Sequence, residues 1–445
     1  MPSHRRLACK LNYFQSIILL FAAVILIGAV LLMLPISAQG HTVTPFHEAL
    51  FTATSAVCVT GLVVRDTASH WSAFGQAVLM VLIQIGGLGV ITVGASFSLL
   101  SGRRISLSQR GRMQEAMSAP KVGGIVRLTG FVIRTSLMIE GIGALCMLPV
   151  FCRDFGVSGI WKAVFHSVSA FCNAGFDLMG TPDTPFVSLT AYRADPVINL
   201  TISALIVVGG IGFLTWDDVR TNRLCFHRYR LQSKVILTAT ALLILLPTLF
   251  FFCFEFKGGT LRERLLLSLF QSVTPRTAGF NTADYTSLSG SGRGLTILLM
   301  FIGGSPGSTA GGIKTTTAAV LVANAFAVFR RQKSPEMFGR RMEEKAVYDA
   351  AAIFTLYLVL SLTGAFVIGT VEGLPLSECL FETTSAIATV GLSLGLTPHL
   401  GIVSQGILIF LMFIGRVGGL TMIYAALSGS KSSAARLPQE RITVG

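Results

Sequence analysis

The sequence predicts an all-α integral membrane protein, and three observations carry that expectation: long apolar runs, scarce charge, and basic residues confined to the gaps between runs. Of 445 residues, 52% are hydrophobic and only 13% charged. A soluble globular chain carries about a quarter charged residues. The runs Phe14 to Leu34, Val235 to Phe254 and Leu295 to Ile302 hold almost nothing ionisable. The longer runs can each cross a hydrocarbon core, which takes about 20 apolar residues as helix. Soluble core helices of that length would need a polar outer face, and these have none.

The net charge of +14 would suit nucleic acid, but its placement follows the apolar runs instead. Arg103, Arg104, Arg110, Arg112 and Lys121 fill one gap, and Arg220, Arg223, Arg228, Arg230 and Lys234 the next. Arg330, Arg331, Lys333, Arg340, Arg341 and Lys345 fill a third. With Arg5, Arg6 and Lys10 at one terminus and Lys431, Arg436 and Arg441 at the other, these are 22 of the 35 Lys and Arg. Positive loops stay cytoplasmic, so both termini and the three linkers are expected to face inward from a plasma (inner) membrane. Topology accounts for the charge, and no nucleic-acid partner is expected. Cys9, Cys58, Cys146, Cys152, Cys172, Cys225, Cys253 and Cys379 show no metal-ligand spacing, and a disulfide framework belongs to small secreted domains. The first apolar run is longer than a signal-peptide core, so it reads as an uncleaved first helix.

Internal repeats organise the rest. Four apolar runs are each followed by a related short segment: LFTATSAVCVTGL (Leu50 to Leu62), VFHSVSAFCNAGF (Val164 to Phe176), SLFQSVTPRTAGF (Ser268 to Phe280) and LFETTSAIATVGL (Leu380 to Leu392). Each has a Phe, a Ser/Thr-rich helical stretch and a single Gly. Those glycines, Gly61, Gly175, Gly279 and Gly391, stand 114, 104 and 112 residues apart. A second apolar run follows each copy, reading IGGLGV from Ile85, VGGIGF from Val208, FIGGS from Phe301 and FIGRVGGL from Phe413. The expected unit is helix, re-entrant pore helix, filter loop, helix. Four such pseudo-repeats, 1–110, 111–225, 226–335 and 336–445 with a C-terminal tail, give eight full spans around one central pore.

A re-entrant helix that stops at membrane depth exposes backbone carbonyls, which is tolerated only where they are buried or face water. Gly lets the chain turn there with φ > 0. Four such turns about one axis make a ring of carbonyl oxygens that can replace a cation's hydration shell. The absence of acidic side chains in the turns favours carbonyls over a charged ring. Tight helix packing would explain one Gly, but not four in register.

These segments resemble the superfamily of bacterial Trk and Ktr potassium-transporter membrane subunits, with fungal Trk and plant HKT relatives, and most nearly the Ktr membrane subunit. The likeness runs from about Phe14 to Ser428, and its most specific marks are TPRTAGFN (Thr274 to Asn281), FCNAGF (Phe171 to Phe176) and FIGRVGGLT (Phe413 to Thr421). The resemblance implies potassium uptake through a single filter, in channel-like fashion, with potassium held at backbone carbonyls. Its four filter segments would be Cys58-Val59-Thr60-Gly61, Cys172-Asn173-Ala174-Gly175, Arg276-Thr277-Ala278-Gly279 and Ala388-Thr389-Val390-Gly391. A Ser at the first glycine accompanies sodium preference in some plant members, and here the residue is Gly61. Cys58 and Cys172 before the triplets, and Ala174 and Ala278 opposite the β-branched Thr60 and Val390, depart from the family pattern.

The third second-run reads FIGGSPGSTAGGIKTTT, with Gly303, Gly304, Gly307, Gly311, Gly312 and Pro306 in one span. Gly costs about 1 kcal/mol and Pro about 3 in a helix interior, so a break is expected, with Ser305, Ser308 and Thr309 facing water. The resemblance implies an intramembrane gating loop there, with Arg416 as a positive barrier beneath the filter, while Lys314 is expected to reach towards the inner surface. Glu140 and Arg134 read as structural partners. Ile313 separates Gly312 from Lys314, so no Walker A loop exists, and Gly87-Leu88-Gly89 is no dinucleotide fingerprint. Nucleotide sensing therefore needs a partner, and the resemblance implies a separate cytosolic nucleotide-binding ring, a homodimer, and no cofactor in this chain. Arg220 to Lys234 and Arg330 to Lys345 are the expected docking strips, and Lys431 to Gly445 a candidate dimer contact. A sodium- or proton-coupled symporter, a sodium-conducting relative and sodium as an activator stay open. An enzyme is not expected, since His4, His41, His47, His70, His166, His227 and His399 are dispersed.

Overall fold

The computed structural model describes residues 13–90, 111, 125–223, 225–332, 334–426 and 440. The basic cluster from Arg103 to Lys121, the terminal basic residues, Lys333 and the tail from Lys431 (Glu440 aside) lie outside the described residues.

Four long helices, α1 (Tyr13–Met33), α4 (Ile125–Phe155), α8 (Leu231–Phe250) and α12 (Glu344–Glu372), form the outside of the molecule. With the π-turn that extends α8 to Glu255, these are, among the described residues, the four helices long and apolar enough to cross a membrane, and a bent pair makes five. Their outer faces stay apolar and open, with Leu26, Leu145, Leu245 and Phe366 all exposed. In water that pattern would be a liability, but in lipid it is the solvated face.

Each long helix leads into a short buried one: α2 (Phe46–Cys58), α5 (Ser158–Phe171), α9 (Leu261–Val273) and α13 (Leu376–Ile387). Phe51, Phe165, Phe270 and Phe381, at matching positions, are all buried. Acidic residues in the first turn, Glu48, Glu263 and Glu378, suit the N-terminal dipole of three of the four.

The chain then returns through α3 (Ala73–Leu88), the pair α6 (Pro196–Ile211) and α7 (Phe213–Asn222), the pair α10 (Gly290–Phe301) and α11 (Thr315–Phe329), and the pair α14 (Ile402–Val417) and α15 (Gly419–Ala426). Ser72, Asp195 and Ser289 cap α3, α6 and α10 by accepting from Gly75 N, from Val197 N and Ile198 N, and from Gly292 N. The short helices pack in a cycle: α5 on α3, α9 on α6, α13 on α10, and α2 on α14, which closes it.

The third return helix was expected to be broken while its siblings ran on. Instead the others break too, at Gly89, Gly212 and Gly418, whose φ values are 87°, 98° and 95°. The bend between α6 and α7 is 94°. What sets the third apart is size, since Pro306 and the flanking glycines open the break into a loop from Ile302 to Lys314. A second departure from an all-helical chain is a small antiparallel hairpin, β1 (Glu336–Met337) with β2 (Arg340–Arg341), in the linker before α12.

Candidate functional site

Each short helix ends in the same backbone device. Val59, Asn173, Thr277 and Thr389 are left-handed, with φ of 56°, 58°, 67° and 51°. Two residues later Gly61, Gly175, Gly279 and Gly391 have φ of 95°, 72°, 81° and 90°. Asn tolerates the left-handed region, but β-branched residues are genuine outliers there. Such strain costs of the order of 1–3 kcal/mol per residue and persists only where surroundings enforce it.

What enforces it is visible in the helix behind each turn. The amides of Thr60, Ala174, Ala278 and Val390 donate to the carbonyls of Ser55, Ser169, Thr274 and Ser385, at 2.8–3.0 Å. The hydroxyls of the same four residues tie the turn a second time. Ser55 Oγ and Ser385 Oγ accept from Gly61 N and Gly391 N at 3.0 Å. Ser169 Oγ donates to Phe176 O at 2.7 Å, and Thr274 Oγ1 donates to Phe280 O.

The four glycines meet. A Cβ on Gly61 would lie 2.6 Å from Ala174 O, one on Gly175 2.8 Å from Ala278 O, one on Gly279 2.7 Å from Val390 O, and one on Gly391 2.0 Å from Thr60 O. The contacts run from each segment to the next and return to the first. Thr60 Oγ1, Asn173 Oδ1 and Thr389 Oγ1, all buried in these segments, have no hydrogen-bond partner among the described residues. Arg276 is buried too, with its guanidinium on Thr240 Oγ1 at 3.2 Å and its Nε unpartnered. Its side chain braces α8.

Two cavities flank the ring. One of about 240 Å³ is lined by all four glycines together with Asp66, Asp177 and Asp284. The other, about 350 Å³, is lined by the breaks at Gly89 and Gly418, by Gly307, Ser308 and Gly312 of the loop, and by Lys314 and Arg416.

The loop fills the space between. Ser305 N and Thr309 N donate to Gly210 O and Gly209 O at 2.9 and 3.3 Å, and Gly312 N to Gly415 O at 3.3 Å. Of its three hydroxyls only Ser308 lines the inner cavity as expected; the other two do not. Ser305 and Thr309 are buried, with Ser305 Oγ 3.1 Å from Thr315 Oγ1 and Thr309 Oγ1 donating to Phe171 O at 3.1 Å. Ser308 Oγ turns back to Ser305 O. Lys314 does not reach for a surface either; Nζ donates to Ala310 O at 2.8 Å and Gly311 O at 3.4 Å, closing the loop. Gly303 abuts the Thr277 methyl, and Gly311 and Gly312 are pressed on Thr389 and Ala388 so closely that a Cβ would clash.

Arg416 occupies the position held by Gly87, Gly210 and Gly304 in the other return helices. Its guanidinium donates to Thr309 O on the loop and to Gly86 O and Gly87 O on α3, the last at 3.2 Å. One cation therefore clamps the loop, α3 and α14 together through carbonyls. Glu140, expected to pair with Arg134, instead accepts from Gln84 Nε2 at 3.0 Å, and no Arg134–Glu140 ion pair forms among the described residues.

Sequence reading missed a clasp beyond the ring. The residue after each recurring Phe is Thr52, His166, Gln271 or Glu382. His166 Nε2 accepts from Leu178 N at 3.3 Å, and Gln271 accepts from the Tyr285 hydroxyl and donates to Thr282 Oγ1. Glu382 accepts from Ser393 Oγ, Leu394 N and Thr397 Oγ1 at 2.6–2.9 Å. Thr52 instead donates to Glu48 O in its own helix. The signal was present as buried polar residues at one shared register.

Apolar outer helices around a closed ring of strained, carbonyl-bearing turns define a multi-pass membrane transport protein. The family model described as TrkH, cation transport protein, matches residues 8–257 and 256–434, and the chain belongs to that family. It is similar to the potassium/sodium uptake protein NtpJ of Enterococcus hirae, 40% identical over 99% of both chains. It is also similar to the Ktr system potassium uptake protein B of Bacillus subtilis, 41% identical over 96% of this chain and 95% of the relative. The protein of that name in Vibrio alginolyticus is 36% identical over 100% and 98%. Among solved structures, the potassium transporter TrkH from Vibrio parahaemolyticus shares the fold, with a TM-score of 0.75 over 95% of this chain and 86% of that one, at 17% identity.

Proposed function

We propose that this chain is the pore-forming subunit of a potassium uptake system of the Ktr/Trk type. The ion passes through the ring at Gly61, Gly175, Gly279 and Gly391 and meets a gate at the loop and Arg416. The observation that carries the reading is the ring itself: four strained turns whose carbonyls abut their neighbours in a closed cycle. In an ordinary extended segment successive carbonyls alternate sides. Left-handed residues two positions apart turn them to one side, as a carbonyl coordination column needs.

Four repeats at 1–110, 111–225, 226–335 and 336–445, with eight spans, fit the cyclic packing of the short helices. The basic linkers support a cytoplasmic side for both termini. The acidic cavity is then the entrance, where Asp66, Asp177 and Asp284 raise the local cation concentration. Arg416 and Lys314 guard the exit. Relatives carry "Ktr system" names, in keeping with a separate partner subunit, which we take to be cytosolic and regulatory, on a dimer of this chain. Phe226 and Phe338 meet edge to face at 6.0 Å, a contact between the two basic strips that supports their serving a single partner. The transport family and dispersed His argue against an enzyme.

Expression in a host lacking potassium uptake, on limiting potassium with and without sodium, tests the reading. Restored growth supports it; growth only with added sodium marks sodium dependence. No rescue despite membrane insertion and a matched regulatory partner overturns it.

A further inference from the structure

One turn of α3 carries a polar chain that reaches a ring segment from behind. Glu140, midway along α4, is buried and has no basic partner among the described ion pairs. A carboxyl at such depth is costly and marks a role. Its two oxygens lie 3.0 and 3.3 Å from Gln84 Nε2. Gln84 Oε1 in turn lies 3.6 Å from Cys172 Sγ. Cys172 is buried and opens the second ring segment, one residue before the left-handed Asn173.

The direction of the chain follows from donor and acceptor chemistry. Gln84 Nε2 stands on both oxygens of Glu140, so the carboxyl accepts and the amide nitrogen is committed to it. That fixes its carbonyl towards Cys172, whose thiol can donate. Two further contacts hold the same place: a Cβ at Gly87 would lie 2.6 Å from Cys172 Sγ, and Ser167 Oγ donates to Glu140 O at 2.6 Å. The thiol is thus bounded by α3, and the helix leading to it is bolted to α4.

We propose that Glu140 and Gln84 are a positioning pair for the second ring segment. By orienting one amide they fix Cys172, and through it the carbonyls of Cys172 to Gly175, and so contribute to discrimination between potassium and smaller cations. The proposal rests on the reading of the ring as a filter. Neither residue touches the ion.

The test is purified protein in liposomes, comparing E140L, E140Q, Q84L and C172A with the parent and with G175A. Potassium and sodium fluxes are measured at equal incorporated amounts. E140L, Q84L and C172A are expected to lower the potassium-to-sodium flux ratio about fivefold, the worth of one hydrogen bond, while E140Q keeps an acceptor for Gln84 and stays within about twofold. If E140L fails to insert, Q84L and C172A decide the matter. Unchanged ratios in these variants, with or without lower total flux, while G175A loses discrimination, overturn the positioning role and leave the filter standing. An unchanged ratio in G175A as well removes the filter and the proposal with it.

Discussion

The ring and the layer beneath it are built from the same four repeating segments, yet they obey opposite rules. In the ring the segments agree: each has a left-handed residue, a glycine and a hydroxyl tie from its own helix. One layer below they diverge. Three return helices place Gly87, Gly210 and Gly304 where the fourth has Arg416, and the third opens into the loop that Arg416 holds. Agreement marks what every segment must do for a coordination shell to close. On the proposed reading, divergence marks what a single segment does on behalf of all, since one obstruction suffices for one pore.

The largest effect is expected where agreement is tightest. Gly391→Ala places a Cβ 2.0 Å from Thr60 O at a φ of 90°, and the backbone cost alone, about 1–2 kcal/mol, predicts at least a roughly tenfold loss of potassium flux. Gly175→Ala, whose Cβ would meet Ala278 O at 2.8 Å in a milder clash, should lose less; equal losses would break the link between ring geometry and transport.

Next in size is Arg416→Gly, which makes the fourth return helix read like its siblings. Losing charge-assisted bonds to the loop and α3, each worth about 1.5–3 kcal/mol, should raise resting flux about tenfold. Resting flux no higher than the parent's at equal density would dismiss the clamp.

The clasps sharpen the comparison within the ring layer. Glu382→Ala strips acceptors from three donors and should destabilise the protein by about 1–3 kcal/mol in thermal unfolding. Thr52→Ala, whose buried hydroxyl serves only its own helix, should cost about 0.8 kcal/mol, the worth of the one carbon group it removes. Smaller still is Arg341→Ala at the hairpin: its exposed pair with Glu344 at 3.9 Å should contribute below about 0.5 kcal/mol.

The ring was legible because it is written locally: a Phe, a hydroxyl-rich stretch and a Gly recur in step, and four copies reinforce one another. The loop was legible as a break, since Pro306 and its glycines cannot continue a helix. Its contents were not. Ser305 and Thr309 look water-seeking in sequence, but Ser305 Oγ pairs with Thr315 Oγ1 just past the loop and Thr309 Oγ1 donates to Phe171 O, 138 positions away. Glu140 was paired with Arg134 by proximity on one helix, when its partner came from the preceding repeat. The breaks at Gly89, Gly212 and Gly418 were overlooked because a lone Gly is weak against an apolar run; tertiary packing decides there.

The central claim is that the four glycine turns select the ion. It is tested most directly by Gly61→Ser in liposomes, reading the potassium-to-sodium flux ratio of protein shown to be normally inserted. A side chain there meets Ala174 O at 2.6 Å, so the ratio should fall about tenfold, the equivalent of roughly 1.4 kcal/mol. A parental ratio in correctly inserted Gly61→Ser would contradict the account.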